Sequence, residues 1–263
     1  MTAPTTPHAT GASARWLRRL LPHRNPSARL VCMPHAGGPA SFYASWTDRL
    51  PEGTELIGVQ YPGRHDRLAE PLMETVVEIA DAVAPFLRPY ADRPLFLFGH
   101  SMGSLVAYET AVRLEAGPGP GPAGLFVSGQ YAPHRCAPPD EALDDATVER
   151  EARASGWTDP AVFDHPELRE LVLPALLADV RASMTYHCAD PVRLRAPIGA
   201  YGGRGDSEDV LAELTAWKQL TSGRAARRVF EGDHFYLRAQ EAELVADIVA
   251  RMSDWGQAPL GHH

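Results

Sequence analysis

The chain has 263 residues, of which 44% are hydrophobic and 22% are charged, a composition typical of a globular protein with enough apolar area for a core. A formal net charge of −8 does not suit nucleic-acid binding, which needs a dense basic surface, so no nucleic-acid partner is expected. No run approaches the ~20 apolar residues of a membrane helix, and three scattered cysteines predict neither a disulfide framework nor a thiolate metal site. We therefore expect a cytoplasmic protein with no membrane contact. We also expect a monomer.

The two ends of the chain differ from the rest. Residues 1–14 are mostly Thr, Pro, Ala, Gly and Ser without periodicity, and we expect them to be disordered. Residues 257–263 are predicted to be a tail, and its last two residues, His262 and His263, are assigned no chemistry. Five arginines precede the first acidic residue, Asp48, and concentrate positive charge near the start: Arg15, Arg18, Arg19, Arg24 and Arg29.

Six short apolar runs are predicted to be strands buried on both faces of a sheet, because they are nearly continuous rather than alternating. They are Ala28–Met33, Glu55–Tyr61, Pro94–Phe98, Leu125–Ser128, Pro197–Tyr201 and Arg227–Phe230. Helical patterns separate them; one begins at a possible capping box formed by Thr75 and Glu78. The alternation predicts an α/β fold with a mostly parallel central sheet flanked by helices.

One segment, residues 133–190, breaks this alternation. It contains helical patterns over Ala142–Arg153 and Leu168–Tyr186 and no convincing strand. Helices inserted between two strands are expected to form either a lid over an active site or an additional packing layer, and the pattern alone leaves both open. The predicted division is a core of residues 15–132 and 191–256 with an insertion at 133–190.

Residues Gly99–Gly103, with the sequence GHSMG, match the nucleophile elbow GxSxG. The motif follows the predicted strand Pro94–Phe98 and opens a helical pattern, which is the context the elbow requires. This turn would expose Ser101 at a helix N-terminus, where the helix dipole and free N–H groups stabilise an oxyanion. The alternative is a glycine-flanked turn with an inert serine.

A serine hydroxyl becomes a nucleophile only when a base removes its proton and an acid orients that base. Elbow hydrolases carry the acid and then the histidine on loops after later strands. His234 follows the last predicted strand through a short turn and is the candidate base. His100 is expected to point away from Ser101, and His35 lies in the first loop.

The candidate acid is Asp206, which follows the strand Pro197–Tyr201 and a glycine-rich turn. Glu208 and Asp209 are close competitors, and spacing does not separate them. Asp233 is a poor partner because it is adjacent to the histidine.

An oxyanion hole in such a site uses two backbone N–H groups. One would come from Met102, directly after the nucleophile. The other would come from the loop after the first core strand, residues 34–39, which is rich in glycine. Neither GxGxxG nor GxxxxGK[ST] is present, so a phosphate-binding interpretation of this loop is weaker.

From Trp16 to the last helix, the sequence resembles the stand-alone type II thioesterases of polyketide and non-ribosomal peptide synthesis, in the α/β-hydrolase superfamily. The elbow alone indicates only a serine hydrolase, whereas PHAGG, YPGR and GDHFYL in this order are more specific. The segments that carry the resemblance are residues 29–38, Tyr61–Arg64 with Glu70 and Pro71, Gly99–Gly103, Leu173 and Pro174 with Ala178 and Asp179, Gly202 and Gly203 with Asp206, Trp217 with Thr221, and residues 232–237.

The resemblance implies an α/β-hydrolase fold with a helical lid at 133–190. It assigns Ser101 as nucleophile, Asp206 as acid and His234 as base, with the Ala36 and Met102 amides as the oxyanion hole. It implies no cofactor and no metal. The partner would be an acyl or peptidyl carrier protein bearing an acyl-phosphopantetheine, and the role would be removal of aberrant or stalled acyl units.

Other functions use the same three side chains. A medium-chain fatty acyl thioesterase, a small-molecule carboxylesterase and an acyl transferase are the alternatives within enzymes. A binding protein with a decayed elbow is disfavoured by the intact Ser, Asp and His set. A contact of Arg15, Arg18, Arg19 and Arg24 with a carrier protein is a further hypothesis, against the alternative of a solvated chain end.

Overall fold

A seven-stranded sheet organises the protein, with the strand order β1-β3-β2-β4-β5-β6-β7. The structure is a computed structural model that describes residues 11–137, 143–154, 165–206 and 208–256; the side chains of residues 151, 152, 154 and 208–210 are outside the description. All neighbouring strands are parallel except β1, which runs antiparallel to β3. The carboxyl ends of β2 to β7 therefore meet at one edge of the sheet, where a site can be assembled from successive loops.

The six predicted strands are all present, with small shifts at their ends. The strands are β1 Leu17–Leu21, β2 Ala28–Met33, β3 Thr54–Val59, β4 Leu95–His100, β5 Gly124–Ser128, β6 Ile198–Gly203 and β7 Ala225–Phe230. Side chains alternate between the two faces: Val31 and Met33 join one core, and Leu30 and Cys32 join the other. Both faces are thus covered, as the continuous apolar runs predict.

The sequence pattern missed β1 and misjudged β7. Arg18 and Arg19 interrupt the apolar pattern of β1, yet Arg19 is neutralised by the fully buried Glu55 at 2.5 Å and Arg18 by Asp66 at 2.5 Å. β7 was predicted to be buried on both faces, which is wrong. It is an edge strand whose only buried residue is Phe230, and arginines are tolerated where one side of the strand meets water.

The N-terminal arginines are largely paired with acidic residues. In addition to the pairs of Arg18 and Arg19, Arg15 lies 3.6 Å from Glu70. These contacts reduce the positive charge that this segment would offer to an acidic partner. The chain before them is also more ordered than predicted: residues 11–14, expected to be disordered, lie in a helix in which Ser13 and Trp16 are buried, while residues 1–10 are outside the described part.

Helices cover both faces of the sheet. They are α1 Gly11–Trp16, α2 Val76–Leu87, α3 Met102–Ala116, α4 Asp145–Ala154, α5 Pro166–Met184, α6 Glu208–Glu213, α7 Tyr236–Ala239 and α8 Glu241–Gly256. The capping box predicted for α2 is confirmed, because Thr75 accepts from the Glu78 N–H and the Glu78 side chain accepts in return. No described helix is long and apolar enough to cross a membrane.

The segment between β5 and β6 contains α4 and α5, which pack against each other. No strand occurs in its described residues, as predicted. Helix α5 also contacts α3, the helix that begins after Ser101. The insertion is therefore attached to the element that carries the elbow, and its role as a lid stays a prediction.

Candidate active site

Ser101 lies at a sharp turn between β4 and α3, with φ 54° and ψ −128°. The turn is possible because Gly99 and Gly103, which flank it, have no side chains. A Cβ atom on Gly99 would be 2.0 Å from the Gly103 carbonyl oxygen. The Ser101 N–H donates to the Ser128 carbonyl at 2.8 Å, which ties the turn to the end of β5. This strained backbone places a buried serine at the start of a helix.

Asp206 and His234 lie on loops after β6 and β7. The His234 Nδ1 atom is 3.0 Å from Asp206 Oδ2 and 3.2 Å from Asp206 Oδ1. The two loops are joined through their backbones, since the Gly205 N–H donates to the Gly232 carbonyl at 2.7 Å. The carboxylate thus fixes the orientation of the imidazole and leaves Nε2 as the atom that faces the chemistry.

Gly129, directly after β5, connects this pair to the elbow. A Cβ atom at Gly129 would lie 3.1 Å from the ring of His234 and 3.0 Å from the ring of His100. The His100 and His234 ring centroids are 4.9 Å apart. The structure therefore brings the predicted serine, histidine and aspartate loops to one edge of the sheet.

The other carboxylates considered as the orienting acid have different contacts. The Asp233 side chain accepts from the Phe235 N–H at 2.8 Å, which caps the turn around His234 rather than orienting the ring. Glu208 and Asp209 begin α6, and their side chains lie outside the described residues. Asp206 contacts the His234 imidazole, and its role as the orienting acid stays a prediction.

Two further histidine rings, those of His35 and His100, lie near the site and are buried. Burial lowers the pKa of His100 well below its usual value, and its Nδ1 lies 2.9 Å from the Ser128 hydroxyl. Burial, with the charge of Arg238, lowers the pKa of His35 to about 3. The His35 ring packs edge-on against Phe235 at 4.9 Å. Both rings therefore contribute no positive charge beside His234 at neutral pH.

The glycine-rich loop at residues 34–39 lies against the elbow. A Cβ on Gly103 would be 2.1 Å from the Met33 carbonyl oxygen and 2.7 Å from that of Pro34. Ala36 in this loop and Met102 at the start of α3 are both buried. The two backbone segments predicted to supply the oxyanion hole are therefore packed together.

Sequence reasoning did not assign roles to several polar groups at this edge of the sheet. The Ser128 hydroxyl lies between His100 and the Tyr236 hydroxyl, at 2.9 Å and 2.7 Å. Asp179 and Arg64 form a buried ion pair beside the glycine-rich loop. The YPGR and Ala-Asp motifs are the sequence signals for the Arg64–Asp179 pair, but only the tertiary contacts show what these side chains bind.

Among the described residues, no group of three or more His, Cys, Asp or Glu side chains is arranged to hold a metal ion.

A parallel sheet with a serine elbow and an Asp–His pair on the following loops defines the α/β-hydrolase fold. Comparison with known proteins is consistent with this class. The chain is 35% identical to the type II thioesterase BorB from the borrelidin biosynthetic cluster, with a TM-score of 0.82 over 94% of this chain and 100% of that one. It is also similar to RedJ, the thioesterase from the prodiginine pathway of Streptomyces coelicolor, with 35% identity and a TM-score of 0.75 over 86% and 85% of the chains.

Relatives of known family support the same class. The chain is 42% identical to thioesterase PikA5 of Streptomyces venezuelae over 240 residues, covering 90% of this chain and 85% of that protein. The family described as "Thioesterase domain" matches residues 28–252. The chain belongs to the thioesterase family. Membership of this family confirms the predicted α/β-hydrolase fold and the predicted thioester-hydrolase activity.

Proposed function

We propose that this protein hydrolyses acyl thioesters on the phosphopantetheine arm of acyl or peptidyl carrier proteins, with Ser101, His234 and Asp206 as the catalytic residues. It would remove aberrant or stalled acyl units during polyketide or non-ribosomal peptide synthesis. The observation that carries the chemistry is the contact of His234 Nδ1 with both oxygens of Asp206, at the same edge of the sheet as the serine elbow. The names of BorB, RedJ and PikA5 support the pathway.

In the first half of the reaction, the Ser101 Oγ attacks the thioester carbonyl carbon while His234 Nε2 takes the hydroxyl proton. The negative charge that develops on the carbonyl oxygen is stabilised by the backbone N–H groups of Ala36 and Met102. The intermediate then collapses, the C–S bond breaks, and the imidazolium returns the proton to the sulfur. A thiol with a pKa of about 8.5 leaves readily, so this step needs little help from an acid.

In the second half, a water molecule attacks the acyl-serine. His234 takes a proton from that water, and Asp206 stabilises the imidazolium throughout. The carboxylic acid leaves and the serine proton is restored. In this proposal the backbone N–H groups and the carboxylate are held by the fold, so little rearrangement would be needed at the moment when charge develops.

The test compares three substrates that share one acyl group: an acyl-phosphopantetheinyl carrier protein, the free acyl thioester of N-acetylcysteamine, and the corresponding oxygen ester. We expect the highest kcat/KM with the carrier-bound thioester. We expect Ser101→Ala to lose at least about 10³-fold in kcat on all three, as removal of a triad nucleophile does.

The other outcomes would indicate a different function or a different nucleophile. A preference for the oxygen ester would assign the protein as a carboxylesterase. Equal rates on the carrier-bound and free thioesters, with a preference for medium chains, would assign a fatty acyl thioesterase. Activity that survives in Ser101→Ala would overturn the catalytic assignment. Analytical ultracentrifugation of the same sample would test the predicted monomer.

A further inference from the structure

Asp179 is a buried carboxylate in α5 that reaches out of the inserted segment to the glycine-rich loop. Its side chain is 2% exposed. Oδ2 accepts from the backbone N–H of Gly37 at 2.8 Å, and the two carboxylate oxygens accept from both terminal nitrogens of Arg64, with Arg64 Nη2 3.0 Å from Oδ1. One carboxylate therefore joins three separate segments of the chain.

The Gly37 N–H belongs to the peptide that follows Ala36. A turn closes this loop, since the Gly38 N–H donates to the His35 carbonyl at 2.9 Å. Gly37, at the third position of that turn, has φ +72°, a conformation that suits glycine. The turn uses the Gly38 N–H and the carboxylate holds the Gly37 N–H. Together they fix the plane of the peptides on either side of Gly37, next to the Ala36 amide.

Helix α5 also touches this loop through an apolar contact. A Cβ on Gly37 would lie 3.0 Å from Leu176 Cδ1, and Leu176 is one helical turn before Asp179. The two α5 side chains approach Gly37 together, one by packing and one by a charged hydrogen bond. The position of the loop thus depends on the position of α5.

Arg64 makes this buried carboxylate tolerable. An isolated buried charge is very costly, and breaking such a pair by removing one partner is strongly destabilising. Arg64 is held in turn by the Pro62 carbonyl at 3.1 Å and lies 5.3 Å from the Tyr61 ring centroid. The Tyr61 hydroxyl donates to the Pro34 carbonyl at 3.2 Å, at the other end of the same loop.

We infer that Asp179 is a positioning residue for the oxyanion hole and couples helix α5 to catalysis at Ser101. The loop holds the Ala36 N–H in its stabilising orientation when α5 is docked with Asp179 on Gly37, and it loses that orientation when α5 moves away. This inference rests on the proposed function, because it uses the oxyanion role of Ala36. It assigns to the inserted segment a role in reactivity, in addition to the predicted role as a lid.

The experiment uses full-length Asp179→Ala and Asp179→Asn variants. Asp145→Asn is the matched control, because Asp145 pairs with Arg181 on the exposed side of the same segment. For each we measure the thermal midpoint, kcat and KM on a free acyl thioester, and the inhibition constant of a trifluoromethyl ketone analogue, whose hydrated or serine-bound oxygen mimics the oxyanion. Asn keeps a carbonyl oxygen for the Gly37 N–H and has nearly the same shape.

We expect Asp179→Ala to lose about 10²- to 10³-fold in kcat, the range observed for removal of an oxyanion donor. KM should change by less than about threefold, and ketone binding should weaken in parallel with kcat/KM. Asp179→Asn should recover at least tenfold of the lost kcat, and Asp145→Asn should behave as the wild type. A purely structural ion pair would lower the thermal midpoint without changing the ratio of ketone to substrate affinity.

Two kinetic results would overturn the inference. One is a folded Asp179→Ala protein with kcat and ketone affinity within about threefold of the wild type. The other is an Asp179→Asn protein that loses as much kcat as Ser101→Ala but keeps its affinity for the ketone. This second result decides the question if Asp179→Ala does not fold. Labelling of Ser101 by a fluorophosphonate separates this from failure of the proposed function. If the wild type is not labelled, the proposed function fails; if wild type and Asp179→Ala are labelled at equal rates, only the inference fails.

Discussion

Gly103 and Met33 touch through their backbones, so closely that a Cβ atom on Gly103 would lie 2.1 Å from the Met33 carbonyl oxygen. We expect Gly103→Ala to lower the free energy of unfolding by about 3 kcal/mol or more, because the backbone has to separate α3 from β2. Hydrolysis by the folded fraction should fall as well, since the elbow and the glycine-rich loop move apart. Urea unfolding and thioester assays measure both effects.

Gly11→Ala is the control for this substitution. In the described part of the chain, no atom other than those of its neighbours and its own helix backbone lies within 4 Å of the Cβ position at Gly11, which is in α1 and not in the positive-φ region. Its stability should stay the same or rise by up to about 1 kcal/mol. Equal unfolding midpoints for Gly103→Ala and the wild type would contradict the close approach of the two segments.

Asp206→Asn should reduce kcat by about 10²- to 10⁴-fold with little change in KM, because an amide does not stabilise the His234 imidazolium and favours the wrong tautomer. Steady-state kinetics on a free acyl thioester provide the measurement. Asp233→Asn is the matched control, since its side-chain oxygen can still accept from the Phe235 N–H. A loss confined to Asp209→Asn, with Asp206→Asn active, would transfer the role to the competing carboxylate.

The buried pair of Arg29 and Glu55, on neighbouring strands, makes a prediction about stability. Both side chains are at most 1% exposed, and Arg29 Nε lies 2.8 Å from Glu55 Oε2. Arg29→Met should lower the free energy of unfolding by about 3–5 kcal/mol, because it leaves a buried carboxylate with less compensation. Chemical denaturation measures the change.

The double variant Arg29→Met with Glu55→Gln should recover part of this loss, since it removes both charges. An exposed pair, Arg204 with Glu231, serves as the comparison. Arg204→Met should leave stability nearly unchanged, as expected for ion pairs in water. A similar small effect for Arg29→Met would show that the buried charge is compensated by Arg19 alone.

The lowered pKa of the buried His35 should make the stability of the protein depend on pH. Its pKa is lowered to about 3 in the folded protein, while an unfolded histidine has a pKa of about 6.5. As the pH falls below about 6.5, the unfolded chain binds a proton that the folded chain does not, so this group destabilises the fold until the pH reaches about 3. The full stability is present above about pH 6.5.

His35→Leu removes this proton. Between pH 6 and pH 4, its free energy of unfolding should decrease less steeply than that of the wild type, by up to about 1.4 kcal/mol per pH unit. Urea unfolding at several pH values gives the slopes, and the curves should run parallel above pH 7. Identical slopes in the acid range would mean that His35 is protonated in the folded state.

The sequence predicted the central part of the fold well because buried parallel strands such as β4 and β5 are apolar throughout. It failed at the edges, where β1 carries arginines whose partners are far away in sequence. The same limit applies to the site. Ser101 has a local signature, whereas the link from Asp179 to Gly37 spans 142 positions and has no local pattern. Contacts of that kind depend on the packing of whole elements.

The two outer strands of the sheet share a chemical property. β1 presents Arg18 and Arg19, and β7 presents Arg227 and Arg228, so both edges carry cationic side chains. An edge strand is a template for strand addition by another molecule, and charged side chains on that strand must lose water before a like edge can pair with it. The arginines of β1 and β7 thus oppose edge-to-edge association of the sheet, even where an acidic neighbour balances their charge.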